Sequence, residues 1–286
     1  MSAPWPPTNA VVPDVASALP YLNRAIQRRH DVALNVEGGD VGGFGSPTLV
    51  DRHVANYQVA AEAVAATHAP DGPVLDVGCG VGALSAWAAD RLGRDLVLCD
   101  QDADVVRFGG ATFEVPAVTD LAEADPAPVV LAMEVLEHVA PAAQDDFLRA
   151  VWSKVAPGGV LVVSTPDETS YPVGWSGYAP HVGCVSPTEL RELLGTTTDG
   201  AVEVLRLDGG PYALSWGRRL LERVANTVWT FAQGRAPRLA RRLADRGGRE
   251  EPLDLDAVAP AATACHVVSP HDGTGTGLLA VVRRAA

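Results

Sequence analysis

Two stretches of this chain hold residues whose types and spacing could do chemistry. In Ala132-Met133-Glu134-Val135-Leu136-Glu137-His138-Val139, a helical turn would place Glu134, Glu137 and His138 at i, i+3 and i+4, on one face. His181 stands farther on, just ahead of Ser186-Pro187-Thr188-Glu189. Imidazole titrates near neutral pH, so His138 or His181 could take a proton from a substrate hydroxyl, with Glu134 beside them. The second stretch is Val74-Leu75-Asp76-Val77-Gly78-Cys79-Gly80-Val81-Gly82, an apolar run that ends in an acid and three alternate glycines. A helical run, Ala83–Arg91, follows directly. This is the strand–turn–helix context in which a backbone can approach a ligand at the carboxyl end of a parallel strand.

The ligand can be narrowed by counting. A dinucleotide loop needs G-x-G-x-x-G around a pyrophosphate, whereas here the pattern is G-x-G-x-G and Ala83 takes the third dinucleotide position. Asp76, two residues before the first glycine, would repel a pyrophosphate but suits a cofactor carrying an ammonium group. S-adenosylmethionine has an ammonium, a sulfonium and no phosphate. A second apolar run, Leu96–Cys99, also ends in an acid, Asp100, followed by Gln101; two carboxylate oxygens opposite a diol can accept from both ribose hydroxyls.

On these residues Val74–Gly82 resembles the first motif of the class I S-adenosylmethionine-dependent methyltransferases, and the likeness runs from about Asp51 to Leu194. It implies that Gly78, Cys79 and Gly80 lie against the methionine part of the cofactor, and that Asp100 and Gln101 lie at the ribose. Asp120 and Leu121 would then meet the adenine, and Tyr57 would line the pocket from the preceding helix. The Glu134-x-x-Glu137-His138 turn with His181 resembles the ubiquinone-pathway catechol O-methyltransferases and the small-RNA 2′-O-methyltransferases. That likeness implies a divalent metal held by Glu134, Glu137, His138 and His181. Two carboxylates and two imidazoles suit Mn²⁺, Fe²⁺ or Zn²⁺ at least as well as Mg²⁺. Metal-free methyltransferases carry a similar turn, and in that case a histidine is the candidate base.

The expected activity is therefore methyl transfer to a hydroxyl of a small molecule, phenolic or sugar-like. Tyr171, Trp175 and Tyr178, ahead of His181, could wall an aromatic acceptor. Metal-free N- or C-methylation, RNA 2′-O-methylation and a non-catalytic cofactor- or partner-binding module stand as alternatives. His30, His53, His68, His266 and His271 read as surface or capping residues.

The elements that must position these groups alternate from residue 74 onward. The expectation is an α/β, Rossmann-like fold: a seven-stranded, mostly parallel sheet with helices on both faces. Strands are predicted at Val74–Val77, Leu96–Cys99, Phe113–Val118, Val129–Ala132, Val160–Ser164, Ala201–Leu207 and Gly277–Val282. The helix between the second and third strands should be nearly absent. Helices are expected at Thr48–His68, at Pro141–Val155 and, opened by the Ser186 cap with Glu189 at N3, up to Leu194. A short helix at Tyr21–His30 follows a loose proline-rich arm, and the glycine-rich Glu37–Gly45 reads as a mobile loop. The chain divides into an arm and cap (1–47), the cofactor-binding core (48–210), a basic helical insertion (211–260) and a closing segment (261–286).

Composition sets the outer bounds. With 286 residues, 47% hydrophobic content and a formal charge of −13, the chain can bury a large core and lacks the basic footprint of a general nucleic-acid binder. Its four scattered cysteines show no metal spacing, and no leader pattern is evident, so a cytoplasmic protein with reduced thiols is expected. Against the acidic background, Trp216–Glu250 carries nine arginines and three acids. It could be a lid, a partner face or a peripheral membrane contact, or simply a solvated face that packs Trp216, Trp229 and Phe231 inward.

Overall fold

The structure is a computed structural model and describes Pro6 and residues 10–29, 47–235 and 264–286. Its strands are β1 (Val74–Val77), β2 (Leu96–Cys99), β3 (Ala117–Val118), β4 (Ala127–Met133), β5 (Val155–Pro166), β6 (Ala201–Asp208), β7 (His266–Val268) and β8 (Gly277–Arg283). They form one sheet of order β3-β2-β1-β4-β5-β8-β6-β7. The first five pair in parallel, while β8 runs antiparallel to both β5 and β6, and β7 antiparallel to β6. The sheet thus has eight strands among the described residues, one more than expected, because His266–Val268 adds an edge.

Strand residues alternate between two buried layers, as a period of two requires of a sheet covered on both faces. Val74, Leu98, Val129, Leu131, Val160, Val162, Leu279 and Val281 meet one set of helices. Those are α1 (Val15–Arg29), α2 (Pro47–Thr67) and α3 (Ala83–Leu92), with α4 (Ala103–Phe113) at the edge. Leu75, Val130, Leu161, Val163, Leu278, Ala280 and Val282 meet α5 (Pro141–Ser153) and α6 (Pro187–Thr197). The α6 start bears out the cap: Ser186 accepts from Glu189 N while the Glu189 side chain accepts from Ser186 N.

Two local expectations are corrected. The second crossover is no near-absent helix but an eleven-residue one, α4, begun by Asp102, whose side chain accepts from Asp104 N and Val105 N. Its Gly109-Gly110 pair is a packing device: a Cβ on Gly109 would lie 2.6 Å from Val81 O and one on Gly110 2.8 Å from the Ala117 Cβ. The third strand shrinks accordingly to Ala117–Val118. At the N-terminus the arm is only partly loose. Val11 exchanges backbone hydrogen bonds with Cys265, and α1 starts at Val15 and carries Pro20 within it.

The Glu37–Gly45 loop and residues 236–263 lie outside the described residues. The described part of the basic insertion is α7 (Trp216–Arg235). Trp216 and Phe231 are exposed rather than packed inward; the Trp229 side chain is outside the described set. No described helix is long and apolar enough to cross a membrane.

Candidate active site

The carboxyl ends of β1, β2 and β3 carry the acids that the sequence singled out. Gly78, Gly80 and Gly82 all take left-handed backbone, with φ of 73°, 56° and 72°. The loop folds back so that Gly78 N and Cys79 N donate to Cys99 O. A Cβ on Gly78 would come within 2.3 Å of Val135, so this turn also needs glycine to let the β4 exit approach. Asp100 stands at the tip of β2 with one oxygen accepting from Gly80 N (2.9 Å) and the other from Asp102 N (2.9 Å). Asp100 therefore holds the glycine loop in shape, and each oxygen keeps a lone pair for a diol. Asp120 begins the single turn after β3, accepting from Ala122 N, and Leu121 follows it, half-buried. Gln101 is exposed beside Asp100. Asp76, Asp100 and Asp120 converge on Cys99, whose thiol is pushed up to about 11 by burial and then by these three charges.

Asp76 has a different place from the one expected. It is fully buried, and one oxygen accepts from Tyr57 Oη (2.9 Å) and Ser85 Oγ (2.6 Å). With no accessible surface it does not face a ligand's ammonium; it ties α2 and α3 to the glycine loop from behind, and Tyr57, also buried, belongs to that tie. Its other oxygen, Oδ1, is buried with no hydrogen-bond partner. Burial raises the carboxyl to about 6, against the Ser85 and Tyr57 hydrogen bonds that pull it down.

The strand-end loops fit a cationic, phosphate-free cofactor. Residues 74–88, 96–106 and 117–125 contain no lysine or arginine, Asp100 and Asp120 stand at the tips of β2 and β3, and the backbone opens at left-handed glycines. A pyrophosphate would find no counter-charge on these loops themselves.

The second group forms at the ends of β4 and β5. The chain leaves β4 with Glu134 at φ 55°, and Val135 is not helical, so the turn begins only at Leu136 and covers Leu136–His138. The expected shared face of Glu134, Glu137 and His138 therefore does not form. Glu134 is turned instead toward Ser164, whose Oγ donates to it (3.0 Å), and toward Arg52 (3.4 Å). Glu137, His138 and His181 do meet: each offers a ligand atom, and these atoms lie within 4.8 Å of one another. The two imidazoles stand edge to face at 5.0 Å, and Tyr178 flanks His181 at 4.8 Å. Glu137 is buried, accepts from Thr165 Oγ1 (3.0 Å), and is pushed well above the usual carboxyl range by burial and by the nearby Glu134 charge.

Sequence reasoning missed the group that orients His181. Glu168, in the single turn just past β5, is buried and pairs with His181 Nδ1. It also accepts from Ser176 Oγ (2.7 Å), Ser176 N (3.0 Å) and Cys184 Sγ (3.3 Å). Burial works to raise its pKa, but the bonds and charge of His181 and the Ser176 bonds outweigh it, and Glu168 stays below the usual carboxyl value. With Nδ1 engaged by Glu168, Nε2 is the ring nitrogen left to a ligand, and a carboxylate so placed fixes a metal-ligating or basic imidazole. The one local sign in the sequence is that Glu168 stands just past a strand end, as Asp100 and Glu134 do. His53, read as a surface residue, is half-buried near Glu134 and Arg52, and burial pulls it down to about 4.

Comparison with known proteins fits this geometry. The model of a methyltransferase domain family matches residues 52–204. No curated protein matches the sequence. Among solved structures, the [4+2]-cyclase SpnF aligns with a TM-score of 0.51 at 14% identity, over 96% of this chain and 96% of that one. The cyclopropane synthase MmaA2 from Mycobacterium tuberculosis aligns at 0.50 and 12%, over 96% and 100%. The YcgJ protein from Bacillus subtilis aligns at 0.50 and 14%, over 82% and 100%. Since the family model spans more than half of the chain, the protein belongs to the methyltransferase domain family and is an S-adenosylmethionine-dependent methyltransferase.

Proposed function

We propose that this methyltransferase acts on a hydroxyl of a small molecule, binding its cofactor at the tips of β1–β3 and its acceptor at Glu137, His138 and His181. The observation that carries this reading is the convergence of those three side chains, with His181 fixed by Glu168. Structures of similar fold include a [4+2]-cyclase and a cyclopropane synthase, so fold does not choose the reaction and the site must.

When bound, S-adenosylmethionine would supply a methyl group on a sulfonium, transferred to the acceptor oxygen with the neutral thioether of S-adenosylhomocysteine as leaving group. The chain's own task is alignment and ionisation of that oxygen. Gly78, Cys79 and Gly80 bring backbone against the amino-acid end of the cofactor; Asp100 with Gln101 accepts from its ribose, and Asp120 with Leu121 borders the adenine. Asp76 and Tyr57 keep the loop in that shape. At the other end His181 Nε2, held toward the cluster by Glu168, takes or weakens the acceptor's proton, and Tyr178 packs beside an aromatic or sugar ring.

The same three side chains suit a divalent cation of the Mg²⁺, Mn²⁺, Fe²⁺ or Zn²⁺ type, with Glu137 as carboxylate and two imidazoles. Such an ion would lower the acceptor's pKa and hold it. Glu134 lies outside that set, committed to Arg52 and Ser164, and shapes the site from beside it.

Titration with S-adenosylhomocysteine tests the donor half; binding should be lost when Asp100 is changed to Ala. A product scan over phenols and sugars tests the acceptor half, with and without excess chelator. Loss of turnover in chelator supports the metal, full turnover assigns proton removal to an imidazole, and methylation confined to amines or carbons would overturn the hydroxyl reading.

A further inference from the structure

Helix α7 is amphipathic in the reverse sense. Its polar side chains point into the protein: Arg219 donates to Ser170 O (3.1 Å) and Thr274 O (2.6 Å), Arg223 to Pro172 O, and Asn226 to Ser176 O (3.2 Å). Glu222 accepts from Tyr171 Oη (3.0 Å). At 100° per residue these four positions share one side of the helix, and Trp216, Leu220, Leu221, Val224 and Val228 occupy the other. That outer side faces solvent: Trp216 is 69% exposed, Leu221 70%, Val224 52% and Val228 59%. From Trp216 to Val228 the strip is about 20 Å long. Ordinary surface helices bury their apolar side, so a strip of this length facing outward marks a contact surface.

We infer that the outer face of α7 docks on an anionic lipid bilayer surface. The choice of occupant rests on charge. Counted on the sequence, Trp216–Glu250 carries nine arginines against three acids on a chain of net charge −13, and seven arginines remain once the inward-turned Arg219 and Arg223 are set aside. A second copy would carry the same excess of arginine, whereas an anionic leaflet attracts each basic residue near it by about 1 kcal/mol. Trp, Leu and Val side chains suit the headgroup–acyl boundary and give nothing to a nucleic-acid backbone. The strip lies in the surface plane, since no described helix is able to cross. Docking there loads the 168–178 segment from above, because α7 holds Ser170, Pro172 and Ser176 beside Glu168. The inference does not depend on which acceptor is methylated.

Co-sedimentation of the full chain with vesicles tests it. Vesicles of phosphatidylcholine with about 30% phosphatidylserine should pellet the protein, at least about tenfold more than phosphatidylcholine alone, and salt should release it. The double substitution Leu221→Asp, Val224→Asp, at exposed positions, should cut that partition about tenfold or more while leaving thermal unfolding and S-adenosylhomocysteine binding unchanged. A wild-type chain that stays in the supernatant with anionic vesicles overturns the inference, as does a double variant that pellets like wild type. A solution dimer dissociated by the same substitutions would assign the face to a second copy. Salt-sensitive retention of labelled RNA without lipid partition would assign the arginines to nucleic acid.

Discussion

The two ends of the proposed site are built by different means. The proposed donor end, at the tips of β1–β3, is made of backbone: three left-handed glycines, amides tied to Asp100, and a carboxylate, Asp76, bracing the loop from behind. The proposed acceptor end, at the tips of β4 and β5, is made of side chains drawn from residues 52–53, 134–138, 165–168 and 178–181, several buried and displaced from their usual ionisation. A backbone-built site is specified by short local motifs at strand ends and tolerates little change of geometry. A side-chain-built site can change its chemistry by exchanging one residue, which is how one fold supports many acceptors.

Several substitutions would break or sharpen that contrast. The largest effect is expected for Gly78→Ala, which combines a left-handed φ with a Cβ 2.3 Å from Val135: loss of measurable S-adenosylhomocysteine binding and a stability loss above about 2 kcal/mol. Gly93→Ala, at φ 62° with open space around it, should cost only about 1 kcal/mol and leave binding intact, as a thermal melt and titration would show. At the acceptor end, Glu168→Gln should lower kcat about 10- to 100-fold, with cofactor affinity unchanged, because it releases His181 without touching the glycine loop. Equal losses in cofactor binding and kcat would dissolve the division between the two ends.

A smaller effect is expected from pH. Asp76 titrates near 6 in the folded chain against 3.8 ordinarily, so between those values the folded state holds a proton that the unfolded state has lost. The stability it confers is full below about 3.8 and is lost as pH rises through 6. Asp76→Asn should therefore be more stable than wild type at pH 7, by about 1–3 kcal/mol, with the gap closing below pH 4 in denaturant titrations. The smallest change is Ser186→Ala, which removes a capping box and should cost about 1 kcal/mol without altering either half of the site.

The same contrast explains what could be read in advance. The donor loop, Asp100 and the α6 cap were legible because each is a local pattern with a local reason. The Asp120 position also followed from strand order, although starting the third strand at Phe113 left too little chain for the intervening helix, which itself runs to Phe113. Glu134 was misplaced because helical spacing was assumed where the backbone turns left-handed, a choice imposed by Ser164 and Arg52 from other elements. Asp76 was assigned a ligand contact because sequence shows a charge but not its depth. Glu168 could be joined to His181 only once residues 168–181 had folded into one loop.

The position of β8 has a consequence for how the molecule is made. It is the last strand in the chain, yet it lies between β5 and β6 and supplies all of the contact between them in the sheet. While the chain is being synthesised, the β5 edge and the facing edge of β6 must wait with their backbone groups unpaired until residues 277–283 arrive, since the other edge of β6 is taken by β7. The sheet thus closes by insertion of a strand between two that precede it in the chain, and the polypeptide is most open to wrong pairing until that strand is in place.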